Sequence, residues 1–310
     1  MNQADSPFPA PQPIQVAAGA TCPVHPRWRV VLGVFKLRIG VLIMLTALAG
    51  MAITTRGNIS GWQALMVALS VLIASASAGA FNQYVEADSD RLMARTRNRA
   101  FANGSLKKGI HWPLIMLGML ITAMVMARLA TNWMSALFVV LGALTYAWVY
   151  TLALKRRTPW NIVIGGAAGS FAVLAGAAAA HPQPDILAWL LALVLLLWTP
   201  PHFWSLAIAN RHQYEAAGIP MLPVVVGAER AARIVHLGTM ALVAASLLPL
   251  GFGAGWAYGA GALIGGGHFL RKTAALAHQP DRSRAMSAFF ASMLQLSILI
   301  TGVWIDAALR

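Results

Sequence analysis

This chain of 310 residues is 58% hydrophobic and only 10% charged, with a mean hydropathy of +0.66. So little charge cannot clothe a soluble globule of this length, which leaves an integral membrane protein with many spans. The 23 Lys and Arg residues against nine Asp and Glu give a formal charge of +14, and their placement separates a topology signal from a nucleic-acid footprint.

The first 30 or so residues, opening M-N-Q-A-D-S-P-F-P-A-P-Q-P, are Pro-rich and lack an apolar stretch. They read as a disordered cytoplasmic tail (1–30) rather than a signal peptide, ahead of a transmembrane domain at 31–310. The only cysteine, Cys22, rules out an intramolecular disulfide. Its C-P-V-H setting is sometimes associated with haem sensing, but the simpler reading is an incidental tail residue. Apolar runs of span length then predict nine helices, at about 36–55, 62–85, 110–128, 133–151, 160–180, 186–209, 231–251, 254–270 and 285–306. With the N-terminus in the cytoplasm, every Lys and Arg except Arg56, Arg128 and Arg310 falls on the cytoplasmic side. The positive-inside rule is met, so the basic excess orients the chain, and no nucleic-acid partner is expected. The fold class that follows is all-α: a multi-pass bundle of about nine transmembrane helices around a central cavity, bathed in membrane lipid.

Three of the nine acids crowd the end of the second helix: Glu86, Asp88 and Asp90 in N-Q-Y-V-E-A-D-S-D. Four arginines follow, Arg91, Arg95, Arg97 and Arg99. Asn82, Glu86 and Asp90 are four apart and share one helical face. Acids at a membrane boundary are costly unless they coordinate something or line a wet cavity. A row of oxygen donors beside cations suits a hard divalent metal that in turn holds a phosphate. After the fourth helix, Lys155, Arg156 and Arg157 lie on the same face, where Lys155 can neutralise phosphate oxygens on a departing group. The fifth helix is dense in Gly and Ala, which predicts close helix packing, with room for a flat or long apolar ligand as the alternative. The sixth carries T-P-P-H, whose prolines kink or break a helix and whose His202 would face the bundle.

The run from Asn82 to Arg99 resembles the first aspartate-rich motif of the UbiA-type intramembrane prenyltransferases, N-x-x-x-D-x-D-x-D followed by R-T-x-x-R. Y-T-L-A-L-K-R-R-T-P-W-N from Tyr150, W-T-P-P-H-F-W from Trp198 and Y-E-A-A-G-I-P-M-L-P-V-V from Tyr214 are similar to the haem O synthase branch of that superfamily. The resemblance runs from about Lys36 to Asp306. It implies Mg²⁺ held by Asn82, Glu86, Asp88 and Asp90, farnesyl diphosphate as donor, and protohaem IX as acceptor. It implies catalytic roles for Asn82, Glu86, Asp90 and Lys155, and substrate contacts from Arg95, Arg99, Arg156, His202 and Tyr214. A bacterial inner membrane and a downstream haem A synthase as partner are carried over with it.

Two stretches depart from the family pattern. Glu86 stands where aspartate is usual, one methylene longer. N-R-H-Q-Y-E offers Asn210, His212 and Gln213 where relatives place the acids of a second metal motif, and only Glu215 is a carboxylate. Three readings stay open: the first motif and its cations suffice, Glu215 substitutes, or the chain is a divergent copy of weak activity. Prenyl transfer to an aromatic ring and ion-coupled transport are the alternative functions. The T-P-P-H-F-W string argues against the former. Acids at a helix end beside arginines, not at the bilayer midplane, argue against the latter.

Overall fold

The computed structural model describes residues 27–54 and 59–309. Most of the expected tail, with Cys22, and both Arg56 and Arg310 therefore lie outside the described residues. Every described element is helical: α1 Arg27–Val34, α2 Leu37–Ile53, α3 Gly61–Val85, α4 Ala87–Arg91, α5 His111–Ala130, α6 Trp133–Leu144, α7 Asn161–Gly165, α8 Ala167–Ala180, α9 Ile186–Ala209, α10 Arg211–Ala216, α11 Leu222–Val226, α12 Ala228–Leu247, α13 Trp256–His278 and α14 Arg282–Ala308. Helix α1 takes in residues 27–30, which composition alone had put in the tail.

Nine long rods emerge among the described residues, at the nine predicted places. Seven are long and apolar enough to cross a membrane, and α1 with α2, bent by 45° at the break between them, makes an eighth. The ninth, α13, has 23 residues, but Arg271, Lys272, His268 and its glycines dilute its hydropathy. The nine expected spans are thus seven or eight on apolarity, with α13 qualifying on length alone.

Successive rods pack side by side in chain order, and α14 returns to α2 to close the ring. The two most extensive of the further contacts cross it. Helix α2 packs on α8, and α9 on α14, so the bundle holds a first sub-bundle (α2, α3, α5, α6, α8) and a second (α9, α12, α13, α14). The α2–α8 seam is closed by glycine: a Cβ on Gly176 would run into the Ala47 carbonyl oxygen, and one on Gly50 into that of Val173. Lipid gives no hydrophobic reward for helix contact, so close backbone approach and interhelical hydrogen bonds hold the rods together. Ser77 donates to the Met116 carbonyl at 2.7 Å, Ser135 to Ala175 at 2.9 Å and Ser170 to Ala192 at 2.7 Å.

Inside the first sub-bundle lies a cavity of about 80 Å³, walled by Ile39, Ile43, Val71, Ala74, Phe138 and Ala172, with Lys36 and Tyr146 at one end. The fifth predicted helix packs through Gly176, as expected, and lines this space through Ala172. Beyond α6 the rod continues as a π-helix, Thr145–Leu154. Its wider turn makes residues five apart neighbours, as the bond from Lys155 N–H to the Tyr150 carbonyl at 2.9 Å shows.

Candidate active site

Helix α3 stops at Glu86, and α4 restarts at Ala87. The hydrogen-bond register nevertheless runs through the break: Glu86 N–H reaches the Asn82 carbonyl at 3.0 Å and Asp90 N–H that of Glu86 at 2.8 Å. Asn82, Glu86 and Asp90 therefore stay stacked, and all three are buried, with 2–3% of their surface exposed.

Each meets one cation, so the three form a ladder. Lys36 Nζ donates to Asn82 Oδ1 at 2.6 Å, Lys155 Nζ to Glu86 Oε2 at 2.6 Å, and Arg99 Nη1 to both oxygens of Asp90 at 2.9 and 2.7 Å. The amide nitrogen of Asn82 donates to Thr151 Oγ1 at 3.1 Å. The π-helix supplies this second wall, because its register puts Tyr146, Thr151 and Lys155 on one face. Tyr146 and Tyr150 stack at 5.5 Å, and the Lys36 and Lys155 ammonium groups lie 5.9 and 5.6 Å from the centres of those two rings respectively.

A second, outer layer comes from the loop after α4 and from α10. Arg95 Nη2 donates to the Tyr214 hydroxyl at 2.7 Å, and its guanidinium lies 5.2 Å from the centre of that ring. Gln213 Oε1 accepts from Arg95 N–H at 3.5 Å, and its amide nitrogen donates to Asn210 at 3.2 Å. Arg156 Nη2 donates to Ser89 Oγ at 3.1 Å.

Asp88 is not brought to this cluster. Its side chain is 72% exposed and pairs with Arg91 at 3.4 Å and Lys108 at 3.9 Å. The reason is angular: Asp88 lies two residues from both Glu86 and Asp90, which turns it to the far side of a helix. Glu215 and His212 are also exposed, away from the buried acids. His202 sits apart on α9, packed against α14.

Lys36 escaped the sequence reading as a site residue. It is the one described non-glycine residue with a positive φ, 48°, and it caps α2 from that left-handed conformation. Its only signal was a lone lysine between two apolar runs. Thr151, four residues before Lys155, left no more.

Residues 43–294 match the UbiA prenyltransferase family. The chain belongs to that family. Among its relatives, protoheme IX farnesyltransferase 2 of Paramagnetospirillum magneticum is 54% identical, over 91% of this chain and 98% of its own. Protoheme IX farnesyltransferase 1 of the same organism is 43% identical, over 90% and 98%. In fold, the family member resembles digeranylgeranylglyceryl phosphate synthase, with a TM-score of 0.76 at 18% identity, covering 92% of this chain and 99% of that one. A UbiA homolog from Archaeoglobus fulgidus, solved with DMAPP and Mg²⁺, has a TM-score of 0.65 at 15% identity over 86% and 99%.

Proposed function

We propose that this prenyltransferase moves the farnesyl group of farnesyl diphosphate to a vinyl group of protohaem IX, giving haem O. The observation that carries the transfer is the ladder: buried oxygen donors, each faced by a cation, at the end of an apolar cavity. The acceptor is supported by relatives of 54% and 43% identity that span nearly the whole chain and are named for that reaction.

The donor set fits Mg²⁺. One amide and two carboxylate oxygens, buried and stacked, are hard ligands without competing sulfur or imidazole. Asn82, Glu86 and Asp90 would hold it, and Asp88 is left outside. When bound, the ion adds positive charge against the diphosphate and eases its departure. The chain's own residues do the rest. Lys36, Lys155 and Arg99, drawn from their oxygens by the incoming phosphates, neutralise the charge that grows on the leaving group. Arg95, Tyr214 and Arg156 close over the phosphates from the outer layer.

The apolar cavity takes the isoprenoid tail and keeps water from the allylic cation as the C–O bond ionises. The faces of Tyr146 and Tyr150 offer that cation an electron-rich wall. The haem vinyl attacks with its terminal carbon, leaving positive charge on the carbon next to the porphyrin. Water adds there and loses a proton, which completes the hydroxyethylfarnesyl group. No protein nucleophile is required. The site faces the cytoplasm of a bacterial inner membrane, and a haem A synthase takes the product.

Incubating the purified protein with Mg²⁺, farnesyl diphosphate and protohaem, followed by pigment extraction and mass spectrometry, tests the reading. Haem O is the expected product. Its absence, with prenylation of an aromatic acid instead, would replace the acceptor.

A further inference from the structure

Of the three oxygen donors in the ladder, Asn82 alone can face a metal the wrong way. A carboxylate shows oxygen on either side, but an amide pairs one oxygen with an NH₂ of nearly the same shape. Half a turn about the last side-chain torsion would swap a ligand for a group that repels a cation. Asn82 is buried, so its neighbours and not solvent decide between the two orientations.

Two neighbours do so, by opposite logic. Lys36 Nζ, which can only donate, gives hydrogen bonds to Asn82 Oδ1 at 2.6 Å and to the Tyr146 hydroxyl at 3.5 Å. Thr151 Oγ1 lies 3.1 Å from the amide nitrogen, and its single proton is already given to the Tyr146 carbonyl at 2.9 Å. It can therefore only accept, and only the NH₂ side of the amide can face it. The π-helix sets up this arrangement. In the α-helices the buried hydroxyls of Ser205, Thr239 and Ser246 bond the carbonyls four back, of Pro201, Val235 and Leu242. Thr151 bonds the carbonyl five back, and its free lone pair meets α3 across the bundle.

We infer that Thr151 is a positioning residue that holds the Asn82 amide with its oxygen, and not its nitrogen, towards the metal. This rests on the reading of Asn82, Glu86 and Asp90 as a Mg²⁺ site. Before substrate binds, the Lys36 ammonium and the Thr151 hydroxyl enforce the same orientation. Once the phosphates draw Lys36 away, Thr151 is the one hydrogen-bond partner, among the described residues, left to the Asn82 side chain. That is the moment at which the oxygen has to face the ion. The hydroxyl touches neither metal nor substrate; it acts through the asparagine, as the outer partners of metal ligands do.

Metal binding by the purified full-length protein in detergent tests this, with an unreactive thio analogue of farnesyl diphosphate present. Mn²⁺ takes the place of Mg²⁺ and is followed by electron paramagnetic resonance. Thr151→Val keeps the branched shape and removes the acceptor, so Mn²⁺ affinity is expected to fall roughly 10-fold. Thr151→Ser restores the hydroxyl and should bind as wild type does. The decisive comparison is made in Asn82→Asp, whose carboxylate shows oxygen whichever way it turns. In that background Thr151→Val should cost no affinity. A role in packing alone predicts the same loss in both backgrounds. That result, or wild-type affinity in Thr151→Val, overturns the inference. If Thr151→Val does not fold, Thr151→Ala replaces it in both backgrounds with the same expectations. Failure of wild type and of Asn82→Asp alike to bind Mn²⁺ removes the metal reading itself.

Discussion

Lys36 and Asn82 are 46 positions apart, and the lysine ammonium donates to the asparagine oxygen at 2.6 Å. The contact joins the start of α2 to the end of α3 and places a third cation on a site that has only two buried acids. It also closes the phosphate end of the apolar cavity, which Lys36 lines.

Lys36→Met keeps the stem and removes the charge. The expected result is a fall in kcat/KM for farnesyl diphosphate of roughly 10²–10³, the usual worth of one electrostatic contact to a leaving group. Steady-state kinetics in detergent checks it. Wild-type kinetics would mean that Lys36 only packs.

Asp90→Asn removes the carboxylate that Arg99 grips at 2.9 and 2.7 Å. Haem O formation should drop by roughly 10²–10³ while the protein still inserts and purifies. More than about half of the wild-type rate would place the metal elsewhere. Adding Arg99→Gln should not restore activity, because a neutral pair repairs the fold and not the ligand set.

Gln213→Asp puts an acid where the family's second motif has one. With Arg95 beside it, the new carboxylate has a partner and need not repel the donor. The half-saturating Mg²⁺ concentration should fall and turnover rise. A Mg²⁺ titration decides: unchanged dependence with a higher KM would show that Gln213 only holds the Arg95 loop.

Gly176→Ala pushes a methyl into the Ala47 carbonyl and prises α8 from α2. Overpacking of this kind costs about 1–3 kcal/mol. Thermal unfolding in detergent should show a clear drop in Tm, whereas Gly169→Ala, with nothing within 4 Å of the added carbon, should be near neutral.

Reporter fusions test orientation. One after Lys108 should read cytoplasmic and one after Arg310 external. A cytoplasmic C-terminus would mean an even number of crossings, with α13 the first suspect.

The rods were legible because apolar length is a local property: α9 spans Ile186–Ala209, as its run of apolar residues indicates. The face shared by Asn82, Glu86 and Asp90 was equally legible, since spacing alone sets it. The same arithmetic turns Asp88 outward, and only resemblance to the aspartate motif drew it in. What sequence could not carry was long-range. Nothing in T-Y-A-W-V-Y-T-L-A-L marks a π-helix, and its effect shows only in the distant partners that Thr151 and Lys155 meet across the bundle. Lys36 read as a topology signal because its partner lies on another helix.

The closed ladder bears on how the protein is made. A growing chain has to bury Glu86 and Asp90 before any cofactor or substrate arrives, and a bare carboxylate in the membrane would hinder that step. Lys155 and Arg99 let each acid go in already neutralised, so its burial does not require a bound metal. Lys36 faces an amide oxygen instead of an acid, so the ladder leaves its counter-charge for an anionic guest to supply.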